Sequence, residues 1–341
     1  MLKLYTDTSF ITETNRKIIF PLLFDLCYVF NTNLLKKYVL VNTLEESELV
    51  IVPVDIAFFY KNKQTSWLFD FIDEAQKAKK KVWVYSAGDF GLTLKKEVYT
   101  FRLGGFHSKL NDKTYILPSF ISDPYSQMNA TFKTLPKATL PKVGFVGHAN
   151  GSFLKKNSEL ILFFNTLLKQ VFKQLPIDFH PFFPSVNKRY KMLSLLEKNK
   201  RIETDFVYRK AYRAGVKNEE EKRKTTQEFF DNIYNSPYTF CVRGVGNFSV
   251  RLYETLAMGR IPILIDTDVR LPLENHIDWE KHSIIANEDN FMDKLIDFHE
   301  NVSPTAFEMM QIKNRNLWLD TLNRESYFEK IHTVFKEKMT S

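Results

Sequence analysis

The chain has 341 residues, with 48 basic and 40 acidic side chains, for a net charge of +8. At roughly 150 residues per domain, that length predicts about two domains, and 44% apolar with 26% charged residues excludes a fibrous or largely disordered chain. Two distant cysteines, Cys27 and Cys241, exclude a disulfide framework and a zinc cluster.

Leu2–Thr6 reads as a strand. Ile18–Phe30 reads as a buried helix broken by Pro21 and Asp25. Glu48–Val54 is a buried strand ending at Asp55. Ser66–Lys80 has helical spacing, with Leu68, Ile72 and Ala75 on one face. Val82–Ser86 is a strand that runs into Ala87-Gly88-Asp89-Phe90-Gly91, and Tyr115–Leu117 is another. Thr131–Pro141, with two prolines and little periodicity, reads as a linker. The pattern then restarts with a strand at Lys142–Val146, a loop at Gly147–Gly151 and a helix at Glu159–Lys173. Strands are expected at Ile177–Phe182 and Asp205–Tyr208, and a charged helix at Glu219–Asn235 with Phe229, Phe230 and Ile233 turned inward. A strand at Tyr238–Val242, a short helix at Ser249–Met258, strands at Ile261–Ile265 and Ser283–Ala286, and a mostly helical tail complete the chain. Strands alternating with helices predict parallel α/β sheets. The expected division is residues 1–140, residues 141–318 and a helical tail, 319–341, that packs back on the first domain.

No apolar run approaches the ~20 residues that span a bilayer. The start, Met1-Leu-Lys-Leu-Tyr-Thr-Asp, lacks the apolar core of a signal peptide, which leads us to expect a reducing cytoplasm. Sequons at Asn129, Asn150, Asn247 and Asn301 are then coincidental. The basic surplus reads first as a solvated surface and next as a patch for anionic lipid head groups at the inner membrane face. It does not read as a nucleic-acid surface, because no finger, homeodomain or RNP signature is present. The densest cluster, Lys77 to Lys81, falls at a helix C-terminus, where cations are favoured.

Residues 236–280 are the most informative. A buried strand ends at Arg243, and a loop with Gly244, Gly246, Asn247 and Phe248 follows. Ser249 is placed to cap the next helix, Gly259 ends it, and Pro262 opens a further strand. This puts a helix N-terminus, with its unpaired N–H groups and positive dipole end, at the carboxyl edge of a sheet, a site that suits phosphate. Arg243 and Arg251 flank it with forked donors that fit phosphate oxygens. Glu254, three residues past Arg251, shares its helix face and could accept from ribose hydroxyls, while Leu252 and Leu256 pack the opposite side. Spacing alone equally allows an ordinary strand–loop–helix unit with surface arginines and a structural Glu254–Arg pair. Gly147 and His148 could approach the same diphosphate or form an ordinary turn. Arg209 and Arg213 could line the nucleotide side or be solvated. Cys241 reads as a buried filler.

The same stretch resembles the signature of the exostosin-like glycosyltransferases, the GT47 family. Cys241, Arg243, Gly244, Ser249, Arg251, Glu254, Gly259, Ile261, Pro262, Leu271, Pro272, Asp278 and Trp279 fit its pattern in order. The match is weaker over 142–235 and faint before 140. There Gly88-Asp89 is similar to the family's Gly-x-Asp-His element, with Phe90 in place of the histidine. The resemblance implies a GT-B fold, two Rossmann-like domains facing across a cleft, with the nucleotide on the second domain and the acceptor on the first. It implies inverting transfer of a sugar from a nucleotide donor, typically a UDP-sugar, and here a glycan or lipid-linked glycan acceptor.

Inverting transfer needs charge stabilisation on the leaving diphosphate and a base for the acceptor hydroxyl. Arg243, Arg251 and the helix at Ser249 suit the first task. Asp89, in a glycine-flanked loop after a strand, is the leading base, followed by Asp55 and His107; each has a plain alternative as a solvated or turn-stabilising group. Asp266-Thr267-Asp268 imitates a motif for Mg2+ or Mn2+, but arginines and a helix end perform that task in this reading, so no metal is expected. Two alternatives stay open. One is an inactive partner subunit that keeps the fold and binds nucleotide or glycan, for which Phe90 speaks; the other is a basic docking module.

Overall fold

A computed structural model describes residues 1–173, 176–209, 215–216 and 218–340. Two sheets organise them. The first contains β1 (Leu2–Tyr5), β2 (Tyr38–Leu40), β3 (Leu49–Ile51), β4 (Lys81–Ser86), β5 (Tyr99–Arg102) and β6 (Thr114–Ile116), in the order β2-β1-β3-β4-β5-β6. The second contains β7 (Lys142–His148), β8 (Glu203–Arg209), β9 (Tyr238–Cys241), β10 (Ile261–Ile265) and β11 (Ile284–Ala286), in the order β11-β10-β9-β7-β8. Every pairing within them is parallel. In each sheet the second strand lies on one side of the first and the rest on the other. That reversal opens a crevice at the strands' carboxyl ends, between β1 and β3 and between β7 and β9.

Helices cover both sheets, as parallel strands require. Around the first lie α1 (Pro21–Phe24, continuing as a π-turn to Val29), α2 (Thr32–Leu35), α3 (Ile56–Lys61) and α4 (Thr65–Lys77). Around the second lie α5 (Phe153–Lys173), α6 (Ser185–Lys198), α7 (Glu219–Tyr234), α8 (Val250–Ala257), α9 (Phe291–Asn301) and α10 (Pro304–Leu317). The last helix, α11 (Arg324–Thr340), returns to the first sheet. There Tyr327, Phe328, Ile331 and Phe335 share a core with Leu2, Val50 and Trp83. Tyr327 Oη donates to Ile116 O at 3.0 Å and Tyr38 Oη to Phe328 O at 2.7 Å. Two α/β domains, each built on a parallel sheet with Rossmann-like strand order, thus face each other across a crevice.

Two local expectations need correction. Ile177–Phe182 is not a sheet strand; Ile177 makes a single antiparallel bridge to Leu92 of the first domain. Pro181 removes an N–H from the middle of that segment, and Pro176 and Pro184 bound it closely. Gly147 and His148 are not loop residues but the end of β7, paired with Tyr208 and Arg209. The linker over 131–141 is stitched to α10: Leu135 N donates to Gln311 Oε1 at 2.9 Å, and Gln311 Nε2 donates back to Leu135 O at 2.8 Å. The short strands β2 and β5 and the helix α6 had gone unread.

The two domains touch along the crevice. Asp178 N donates to Gly91 O at 2.9 Å, and the Asp178 carboxylate pairs with Arg102 at 2.5 Å. His180 Nε2 sits 3.0 Å from Phe90 O, and Phe106 bridges to Val269.

Candidate functional site

Most of the expected site residues converge on the reversal point of the second sheet. Cys241, closing β9, is fully buried and its thiol is pushed up to about 12 by that burial, so it is a core residue. Two residues on, Arg243 turns into the crevice. It is 4% exposed, donates through Nη2 to Val245 O at 2.7 Å, and lies 5.3 Å from the ring of Phe106 and 4.8 Å from that of Phe183. Gly244 faces open space, since a Cβ there would meet nothing within 4 Å.

The loop then packs on the first domain. A Cβ on Gly246 would come 2.5 Å from Asp89 O, so the leading base candidate lies directly against the proposed phosphate loop. Asn247 is fully buried; its Nδ2 donates to Gly105 O, Thr267 O and Asp268 O, and its Oδ1 accepts from Thr267. With its amide so committed, it is an interdomain tie and not a ligand group, which corrects the expectation. Phe248 is half-buried against Gly104 of the first domain. Ser249 occupies the N-cap position of α8 with an extended backbone but makes no side-chain cap hydrogen bond, contrary to expectation. The first turn of α8 is left without a side-chain cap, and its dipole end is directed at the loop.

Arg251, on that turn, reaches across to β7. Its Nη2 donates to Val146 O at 2.7 Å and its guanidinium lies 4.3 Å from the ring of Phe145. Gly147 makes room for it: a Cβ there would sit 2.9 Å from Arg251 Nη2. A third guanidinium, unread in the sequence, joins them. Arg189 of α6 donates to His148 O at 2.7 Å and to Arg243 O at 3.4 Å. Burial lowers all three arginines, Arg189 and Arg243 to about 10. The Nε atoms of Arg189, Arg243 and Arg251 are buried without a hydrogen-bond partner, and none of the three forms an ion pair among the described residues. Glu254 makes no ion pair among the described residues either, so the close Glu254–Arg pair of the alternative, purely structural reading does not form, and Arg251 acts on Glu254 only at longer range. Burial pushes its carboxyl up to about 7, the nearby Arg251 offsetting only part. Three clustered guanidiniums with no carboxylate at ion-pair distance, Glu254 and Glu159 acting only at longer range, are chemically suited to meet an anion.

The other candidates are engaged differently. Arg209, closing β8, pairs with Glu228 at 2.8 Å and donates to Thr225 O, so its charge is already answered. Arg213 lies outside the described residues. Asp55 is 6% exposed and its Oδ1 accepts from Ala57 N at 3.2 Å and Ala87 N at 3.0 Å. It caps α3 and ties two loops together, a structural role that corrects its standing as a base. His107 is exposed and pairs with Glu274 at 3.1 Å, so it braces the domains. Asp89 is exposed, and partial burial raises its carboxyl above the usual range. Asp268 holds Ser108 through its carboxylate and Asp266 accepts from Val269 N, so both acids serve as loop ties. Trp279, the end of the signature, is buried and donates to Pro272 O at 3.0 Å; this bond accounts for the spacing of Leu271-Pro272 and Asp278-Trp279.

Residues 186–301, from the start of α6 to the end of α9, match the Exostosin GT47 domain. The matched stretch takes in β8, β9, β10 and β11 of the second sheet. Arg189, Arg243, Arg251 and Glu254 all fall inside it. A stretch of 64 residues is 30% identical to the probable glucuronosyltransferase GUT1 of Oryza sativa subsp. japonica, covering 19% of this chain and 15% of that protein. A stretch of 107 residues is 29% identical to the probable glucuronoxylan glucuronosyltransferase IRX7 of Arabidopsis thaliana, covering 31% and 23%. The chain therefore aligns with under a quarter of the length of either relative. Among solved structures, S. aureus TarM in complex with Fondaparinux, alpha-GlcNAc-glycerol and UDP aligns over 85% of this chain and 55% of its own, at 11% identity and a TM-score of 0.37.

Proposed function

We propose that the protein is an inverting glycosyltransferase that moves a sugar from a nucleotide donor, a UDP-sugar, to a hydroxyl of a glycan or lipid-linked glycan in surface polysaccharide synthesis. The observation that carries this reading is the trio of guanidiniums, with buried Nε atoms lacking partners and no ion pair among the described residues, at the carboxyl edge of the second sheet beside the uncapped start of α8. The names of the plant relatives support the same reaction class. The diphosphate lies against the loop at Gly244, with Arg243, Arg251 and Arg189 answering its charge and Glu254 accepting from the ribose. The acceptor oxygen attacks the anomeric carbon on the face opposite the diphosphate. Its proton passes to Asp89, whose raised affinity for a proton suits a base. The bond from the anomeric carbon to the diphosphate oxygen breaks, and the electron pair leaves with the nucleoside diphosphate. In this reading the guanidiniums and the helix end stabilise the leaving group without a metal, and the work is done in the cytoplasm.

One observation favours a second reading, an inactive nucleotide- or glycan-binding partner. Phe90 stands where the family signature has histidine, and its backbone carbonyl is taken by Arg102 at 2.6 Å and His180 at 3.0 Å. A hydrolysis and transfer assay across UDP- and GDP-sugars separates the two. UDP should raise the melting temperature of the wild type. Arg251→Ala and Arg189→Ala should each remove the shift, while Arg209→Ala keeps it. A full shift retained in both of the first two variants would end the nucleotide reading. With a productive donor in hand, Asp89→Asn should lower turnover on the order of a hundred-fold or more.

A further inference from the structure

We propose that α5 is an interfacial helix that docks the protein on an anionic lipid bilayer. Its large apolar side chains face water: Leu154 is 79% exposed, Ile161 61%, Leu162 62%, Phe164 54%, Leu168 53% and Phe172 80%. Leu154, Ile161, Leu168 and Phe172 recur at helical spacing, so they form one stripe along the outer side of the helix. The opposite side is held by the domain: Glu159 Oε1 accepts from Val186 N at 3.2 Å, and the ring of Phe163 meets Phe182 at 5.4 Å. A contiguous stripe of this kind on a folded surface marks a docking face.

Charge selects the occupant. By sequence, α5 carries lysines at 155, 156, 169 and 173 against one glutamate, Glu159. On α6, which packs against α5, Lys191 and Lys198 are exposed, as is Lys200 just beyond. None of these three forms an ion pair among the described residues; the one acid of α6 is Glu197. Two copies meeting face to face would bring these cations together, whereas anionic head groups neutralise them as the apolar stripe sinks to the acyl boundary. No helix among the described residues is long and apolar enough to cross a membrane, so the helix lies in the interface.

The test is sedimentation of the full chain with phosphatidylcholine vesicles, with and without phosphatidylglycerol. The protein should pellet with the anionic vesicles and be released by salt. Ile161→Asp with Leu168→Asp should lower partitioning at least about ten-fold, and Lys191→Glu with Lys198→Glu should weaken it on anionic vesicles. Melting temperature and the UDP-induced shift should be unchanged in both variants, because these side chains are exposed and none belongs to the arginine trio. Failure of the wild type to pellet overturns the proposal, as does equal pelleting by the aspartate variant. A wild-type dimer that the aspartates dissociate would also overturn it, naming a second copy as the occupant. A wild type that binds vesicles but shows no UDP shift counts against the nucleotide reading alone.

Discussion

At the scale of single residues, Glu254 holds the most informative charge. Its carboxyl is pushed from the ordinary 4.5 to about 7 because burial outweighs the pull of Arg251. Between those values the folded protein binds a proton that the unfolded chain releases. Stability is therefore present below pH 4.5 and falls as pH rises towards 7. Glu254→Gln should flatten this slope and stabilise the protein at pH 8 by up to about 3 kcal/mol, read from denaturant unfolding at pH 5 and pH 8. Identical slopes in variant and wild type would show that the carboxyl is not displaced. Arg243, Arg251 and Glu254 were legible because ordered glycines and a short helix frame them. Arg189 was not, because Lys188-Arg189-Tyr190-Lys191 reads as a solvated basic run until α6 is laid beside β7.

At the scale of elements, α8 has two unlike ends. Its start is left uncapped next to the loop, and its end is closed by Gly259 at φ 65°. A Cβ at Gly259 would fall 2.3 Å from the ring of Phe132 and 3.0 Å from Gln311 O. Gly259→Ala combines the left-handed backbone cost of about 1 kcal/mol with that clash, and should lower the unfolding free energy by about 2 kcal/mol or more. An urea midpoint matching the wild type would refute this packing. The strands were readable because apolar runs bounded by glycine or proline recur along the chain. Ile177–Phe182 misled because its composition suits a strand while Pro181 within it interrupts a ladder.

At the scale of the whole molecule, the crevice is closed by aromatic and polar contacts around His180. The ring is 3% exposed and packs on Phe90 at 5.1 Å and Phe106 at 4.8 Å. Burial first, and then repulsion from Arg243, depress its imidazole to about 4. Here the unfolded chain binds the proton more readily, so stability is full above pH 6.5 and is lost as pH falls towards 4. Melting measured down that range should show a loss that His180→Gln lacks, while Glu254→Gln keeps it; an unchanged acid loss in His180→Gln would assign it elsewhere. The loosening should begin at the crevice, because the protonated ring would sit beside Arg243.

The amino-acid sequence by itself determined the α/β class, the order of most elements and the loop that frames Arg243 and Arg251, because hydrophobic period, glycine and proline placement and a short ordered signature are all local properties. Only the tertiary structure decided which charges lack partners. Arg209 turned to Glu228, Asp55 to two backbone N–H groups and Asn247 to three carbonyls, whereas Arg189, Arg243 and Arg251 met at one sheet edge with no carboxylate at ion-pair distance among the described residues. Whether a charge is answered depends on neighbours brought together from distant parts of the chain, and spacing along the sequence carries no record of them.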